Sequence, residues 1–202
     1  MMIKSTDVCY SDDYIQFTRD ELLKKVQQQM SQKRFKHVLG VEKTAVELAQ
    51  QYGASIEAAS IAALTHDYAK ERNPQEMHDL IISASLDLDL LQYGSEIWHG
   101  PVGAILVRKE LHVKDEEILN AIRHHTVGSS KMNLLEQIIY VADYIEPGRD
   151  FPGVEKVRQL AENDLPQAVA FEAEHTLSYL ISKKRKIYPK SIETYNTWVA
   201  KN

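Results

Sequence analysis

Turn-forming residues are scarce in this chain of 202 residues, which has eight glycines and six prolines. That is roughly 7% of positions against about 12% in average usage. Few turns exclude a many-stranded sandwich or barrel. A single cysteine, Cys9, excludes an intrachain disulfide framework and fits a reducing compartment. No excess of positive charge is present: 24 Lys and Arg stand against 29 Asp and Glu, for a net charge of −5. Electrostatic capture of nucleic acid is therefore a poor reading. No run reaches the roughly 18 consecutive apolar residues of a membrane span. The N-terminus shows no apolar stretch bounded by basic residues, so no secretion signal is read, and a cytoplasmic protein is expected. What is present is 44% hydrophobic residues, enough for a sizeable core, and eight histidines.

Apolar spacing is helical almost throughout, so an all-α bundle is predicted. Tyr14, Phe17, Leu22 and Val26 predict an N-terminal helix within 10–30, broken near Thr18. A long amphipathic helix is predicted from about Ser31, stopped by Gly53, with Ser55 capping the next. That next helix, Ile56 to about Lys70, is almost wholly apolar up to Thr65 and reads as the buried centre of the bundle, ended by Asn73-Pro74. After a variable stretch, His99-Gly100-Pro101 is read as a helix start. Asp115 caps a helix ending near His125, and Asn133 with Glu136 starts a very apolar one from Leu134 to Glu146. Two more helices follow, near 154–162 and 165–184, and a last short one from Ser191. One domain is expected: an N-terminal helix, a core of about 31–150, and C-terminal helices over 151–202. The basic run 183–186 reads as a solvated helix end.

The site argument starts from polarity within apolar helices. Asp143 lies in the run Ile138-Ile139-Tyr140-Val141-Ala142-Asp143-Tyr144-Ile145, with no Lys or Arg on its helical face. Such a carboxylate costs several kcal/mol unless it is paired, binds a metal or turns to solvent. Asp67 and His66 end the apolar run Ile61-Ala62-Ala63-Leu64. The dipeptide alone discriminates little, because His78-Asp79 repeats it in a polar segment read as surface. His37 lies early in the long helix, His99 begins one and His124-His125 ends one. Each histidine alone fits an ordinary hydrogen-bonded side chain. The ordered set matches the ligand order of HD-domain metal phosphohydrolases.

Five stretches carry a more specific resemblance. They are Arg34-Phe35-Lys36-His37-Val38-Leu39-Gly40-Val41, then Ala63-Leu64-Thr65-His66-Asp67-Tyr68-Ala69-Lys70, then Trp98-His99-Gly100-Pro101-Val102-Gly103-Ala104. The last two are Ala121-Ile122-Arg123-His124-His125-Thr126-Val127-Gly128 and Tyr140-Val141-Ala142-Asp143-Tyr144-Ile145-Glu146-Pro147-Gly148-Arg149. Over roughly Gln32 to Asn196 the chain resembles the bacterial YqeK family of HD-domain proteins. The resemblance implies an all-α HD fold with a two-metal site, reported as iron, between core helices. It implies symmetrical hydrolysis of diadenosine tetraphosphate to two ADP by a hydroxide activated at that site. By the family pattern His37, His66, Asp67 and Asp143 hold one ion, and Asp67, His99 and His125 the other. The departure is His124, where the family usually has an aromatic residue. His125 abuts Thr126 and is taken as the ligand, with His124 as the alternative.

Six protein ligands exceed what one catalytic metal with an open position takes, and a bridging Asp67 resolves this. Imidazole and carboxylate donors without thiolate suit iron, manganese or zinc. Two divalent ions outweigh two carboxylates, so the site attracts polyphosphate on an acidic protein. Lys70 and Arg149, each just past a ligand motif, are candidate catalytic phosphate cations; the alternative for both is ordinary surface charge. The expected partner is a dinucleoside polyphosphate, with ADP or GDP as product-like ligands. Neither nucleic acid nor a membrane is expected, and a homodimer is left open. Two other readings remain. The same ligands serve a nucleotidase acting on dNTPs, nucleoside monophosphates or guanosine polyphosphates. Loss of a ligand would instead favour a nucleotide-binding regulator without turnover, and all six are present.

Overall fold

Most of the helices in the computed structural model, which describes residues 3–200, begin on a capping side chain. Helix α1 spans Arg19–Gln27, α2 Gln32–Tyr52, α3 Ile56–Thr65, α4 Pro74–Ser83 and α5 Ser95–Leu111. Helix α6 spans Glu116–His124, α7 Leu134–Ile145, α8 Val154–Asn163, α9 Leu165–Ser182 and α10 Pro189–Trp198. No strand occurs among the described residues. Ser31, Ser55, Asp115 and Asn133 accept hydrogen bonds from first-turn amides of α2, α3, α6 and α7. Gly53 ends α2 at φ 74°, a left-handed position that glycine takes without strain.

Helix α3 is the centre. Every residue from Ala58 to Thr65 is buried, because α2, α6 and α7 all pack against it and α1 closes a further side. α5 packs on α6, and α9 joins α7 to α8 and α10. One hydrophobic cluster runs through these contacts from Ile15 to Tyr188. No helix among the described residues is long and apolar enough to cross a membrane.

Several helix boundaries differ from the sequence reading. Residues 10–17 form turns, and the first helix starts after Thr18, whose capping box with Glu21 sets its origin. Tyr10 and Ser11 instead reach across to Ser60 and Glu57 of α3. Helix α3 stops at Thr65 rather than Lys70. The chain then continues in tight turns, with Tyr68, Lys70 and Arg72 amides bonding the carbonyls three residues back. Asn73-Pro74 therefore starts α4 rather than ending α3, Asn73 accepting from the Gln75 amide. Helix α5 starts at Ser95, so Pro101 lies inside it and His99 in its second turn. The Trp98 indole donating to Leu90 O at 2.7 Å anchors that added turn. Finally α10 begins at Pro189, where a missing amide hydrogen has no partner to lose.

Candidate metal centre

Side chains from five parts of the chain converge. His37 comes from the second turn of α2, His66 and Asp67 from the turn leaving α3, and His99 from α5. His125 follows the last residue of α6, and Asp143 lies near the end of α7. Asp67 is central and only 3% exposed. Its Oδ2 faces His66 Nε2 at 3.4 Å and His37 Nε2 at 3.6 Å. Its Oδ1 faces His99 Nε2 at 3.3 Å and His125 Nε2 at 3.8 Å. Asp143 Oδ1 lies 3.1 Å from His37 Nε2 and 4.0 Å from His66 Nε2. One carboxylate thus divides its oxygens between two sets of imidazoles.

The outer nitrogens of three of these rings, His37, His66 and His125, are held by acceptors. His66 and His125 each follow a helix end, and each Nδ1–H donates to the carbonyl three residues back, Ala63 O at 2.6 Å and Ile122 O at 2.8 Å. His37 Nδ1 meets Glu146 Oε1 at 3.2 Å. A ring that donates through Nδ1 turns the lone pair of Nε2 inward. Nε2 of His37 and of His66 is buried without a hydrogen bond among the described residues. Buried polar atoms are rarely left so, and two inward lone pairs beside two carboxylates fit a cation. Two overlapping groups have donor atoms close enough for an ion: His37, His66 and Asp143, and His66, Asp67 and His125.

The charge balance agrees. Burial opposes ionisation of Asp67, yet His66 and His99 outweigh it and hold the carboxyl well below the usual range. Burial also opposes ionisation of Asp143, and His37, His66 and Arg149 overcome it. Burial pushes His125 down to about 3 and lowers His99, so both rings stay neutral and free to coordinate at pH 7. His66 goes the other way: its burial is outweighed by Asp67 and Asp143, and its proton is held more tightly.

Of the two cations singled out in the sequence, Lys70 Nζ lies 3.3 Å from His99 Nε2, and burial lowers its pKa. The turns after α3 carry it there. Arg149 folds back from the loop after Pro147, donating to Asp143 Oδ1 at 2.6 Å and to Asp143 O at 2.9 Å. Asp143 has a cation after all, supplied from beyond its own helix. His124 turns away to Glu136 at 2.5 Å, leaving His125 in the cluster. His78 and Asp79 pair at the exposed surface.

Sequence reasoning missed three neighbours. Arg34 donates to Asp67 Oδ2 at 2.9 Å; its place three residues before His37, on the same helical face, was the available clue. Thr126 Oγ1 lies 3.1 Å from Nε2 of both His99 and His125. Glu146, buried behind His37, accepts from the Gly148 amide at 2.6 Å. Nothing in its spacing singles it out.

Residues 34–148 match the family model described as HD domain. The chain is 48% identical over 182 residues to the Bacillus subtilis protein named Bis(5'-nucleosyl)-tetraphosphatase, symmetrical, covering 90% of this chain and 98% of that one. A protein of the same name from Halalkalibacterium halodurans is 46% identical, with 88% and 95% covered. A crystal structure from Clostridium acetobutylicum, described as a "predicted HD superfamily hydrolase involved in NAD metabolism", superposes with a TM-score of 0.86. It shares 38% identity over 90% of this chain and 97% of that one.

Proposed function

The chain belongs to the HD domain family, and we propose that it hydrolyses diadenosine tetraphosphate symmetrically, giving two ADP. The observation that carries a phosphohydrolase reading is Asp67, with one oxygen toward each of two imidazole sets. The extent of likeness to the symmetrical tetraphosphatases supports the substrate. The family and the His/Asp groups indicate divalent metal binding. In this reading His37, His66, Asp67 and Asp143 hold one ion and Asp67, His99 and His125 the other. Iron is the proposed metal, and the imidazole–carboxylate donor set also suits manganese or zinc. Such ions supply charge against the polyphosphate and lower the pKa of a water that attacks phosphorus.

The chain's own residues do the rest. Attack falls on the phosphorus second from one nucleoside; the central P–O–P bond breaks, and ADP leaves from each side. The Nδ1 anchors at Ala63, Ile122 and Glu146 fix the imidazoles that face the site. Lys70, Arg149 and Arg34 provide cations where charge grows on the phosphoryl oxygens. Arg34 and Arg149 offer paired donors, and Lys70 a point charge. The proposed unit is the whole chain: the core of about 31–150 with the flanking helices packed on it. The cytoplasm is the compartment this reading implies, and ADP or GDP the product-like ligand.

The test is turnover by anaerobically purified, metal-analysed protein, with products separated by ion exchange. ADP alone from diadenosine tetraphosphate supports the proposal. ATP with AMP, or hydrolysis of mononucleotides only, overturns it. Tight nucleotide binding without turnover would make the chain a regulator.

A further inference from the structure

A cavity of about 670 Å³ opens beside the metal centre, between the first turns of α2 and the segment 146–149. Of the six cluster residues His37 alone lines it, together with Arg149, and Lys33, Arg34 and Lys36 form the α2 wall. The size lies within the roughly 300–1,000 Å³ that small-molecule sites occupy. Four cations on a chain of net charge −5 make this lining opposite in sign to the molecule as a whole. Its two acids are already engaged. Glu71 accepts from Ser31 N at 2.6 Å and Ser31 Oγ at 2.9 Å. Glu146 accepts from Gly148 N and faces His37 Nδ1. Among the described residues no ion pair engages Lys33 or Lys36, and both are exposed. Arg34 and Arg149 already bridge from this wall to Asp67 and Asp143.

The geometry points to a subsite for one nucleoside diphosphate half of the substrate. This rests on the tetraphosphatase reading. Symmetrical cleavage leaves two phosphates on each side of the broken bond, so charge must be met beyond the reacting phosphorus. Arg34 and Arg149 sit nearest the cluster and meet the inner phosphate; Lys33 and Lys36 lie farther out and meet the outer one. The remaining volume takes the nucleoside.

Charge reversal of the two lysines tests it, in the metal-loaded full chain. Lys33→Glu with Lys36→Glu should raise KM for diadenosine tetraphosphate about 10-fold or more, with kcat and metal content near wild type. Inhibition by ADP should weaken by a similar factor, and Lys33→Arg with Lys36→Arg should restore both. Lys183→Glu with Lys184→Glu changes net charge equally at the exposed end of α9 and controls for long-range attraction. Equal effects of the two reversals overturn the subsite, as do KM and ADP inhibition within twofold of wild type. If wild type fails to turn over diadenosine tetraphosphate, the functional reading fails instead. Calorimetry with ADP then decides the cavity: binding weakened only by the Lys33/Lys36 reversal supports it, and unchanged binding overturns it.

Discussion

Asp67 is the one carboxylate among the described residues that faces all four imidazoles of the centre, and Asp67→Ala tests that position. Its loss should abolish turnover and lower bound metal at both sets of imidazoles, because no other carboxylate among the described residues pairs with both. Asp79→Ala, at the exposed His-Asp pair, should match wild type in metal content and rate. Equal damage from both would mean that the surface pair is the functional one. Gly40 offers a finer probe. A Cβ there would lie 2.4 Å from Glu146 Oε2, and Glu146 is what holds His37 Nδ1. Gly40→Ala should push the carboxylate aside and weaken metal binding about 10- to 100-fold, the range for losing such a support. Equilibrium metal titration reads this directly. An unchanged affinity would show that Glu146 does not orient the ring.

Elements meet closely where small residues permit it. Gly100 lets α5 approach α6, since a Cβ would lie 2.9 Å from Arg123 O. That approach brings His99 Nε2 within 2.9 Å of His125 Nε2. On the other side, α9 presses the buried Glu172 toward α7, and its Oε2 has no hydrogen-bond partner. Burial, and then the charge of Asp143, push its pKa well above the ordinary value. The folded chain therefore keeps a proton on Glu172 that the unfolded chain releases above about pH 4.3. Stability from this group is full below that pH and is lost as pH rises toward the folded value. Glu172→Gln removes the penalty. Its melting temperature relative to wild type should rise as pH rises above about 4.3, gaining about 2–4 °C for each kcal/mol recovered. A difference that stays flat with pH would show that Glu172 ionises normally in place.

At the scale of the whole molecule, the centre holds fold and function together. Chelation should lower the melting temperature, because an ion that binds only the folded chain adds about 2.7 kcal/mol at 100 times its Kd. The metal-free protein should also be sensitive to acid. His125, lowered to about 3 by burial first and by neighbouring His99 and His66 next, takes up its proton on unfolding. Between about pH 6.5 and 3 the unfolded chain binds more protons, so stability falls as pH falls. His99 acts in the same direction, and His66, which is raised, opposes them. Thermal scans of chelated protein from pH 7.5 to 5 should show a falling midpoint, and loaded protein a smaller fall until protons displace the metal. A midpoint that rises toward pH 5 in the chelated protein would mean that the raised groups, His66 and Glu172, dominate.

The chain by itself determined whatever depends on near neighbours. The helix start near Ser31, caps at Ser55, Asp115 and Asn133, the stop at Gly53 and the buried run before His66 were all readable, because each rests on residues within a few positions. The ordered histidines and aspartates were readable too, through spacing that matches a known family. Helix ends governed by distant packing were not: nothing local distinguishes Pro101 inside α5 from Pro101 at its start. The family pattern favoured His125 over His124, and the tertiary structure shows why they differ: adjacent residues point about 100° apart around α6, and His125 faces Asp67 while His124 faces Glu136. Tertiary structure also brought Arg34 to Asp67 and Arg149 to Asp143 and seated Glu146 behind His37. Those contacts join segments far apart in the chain, and their meeting is decided by which helix faces pack together.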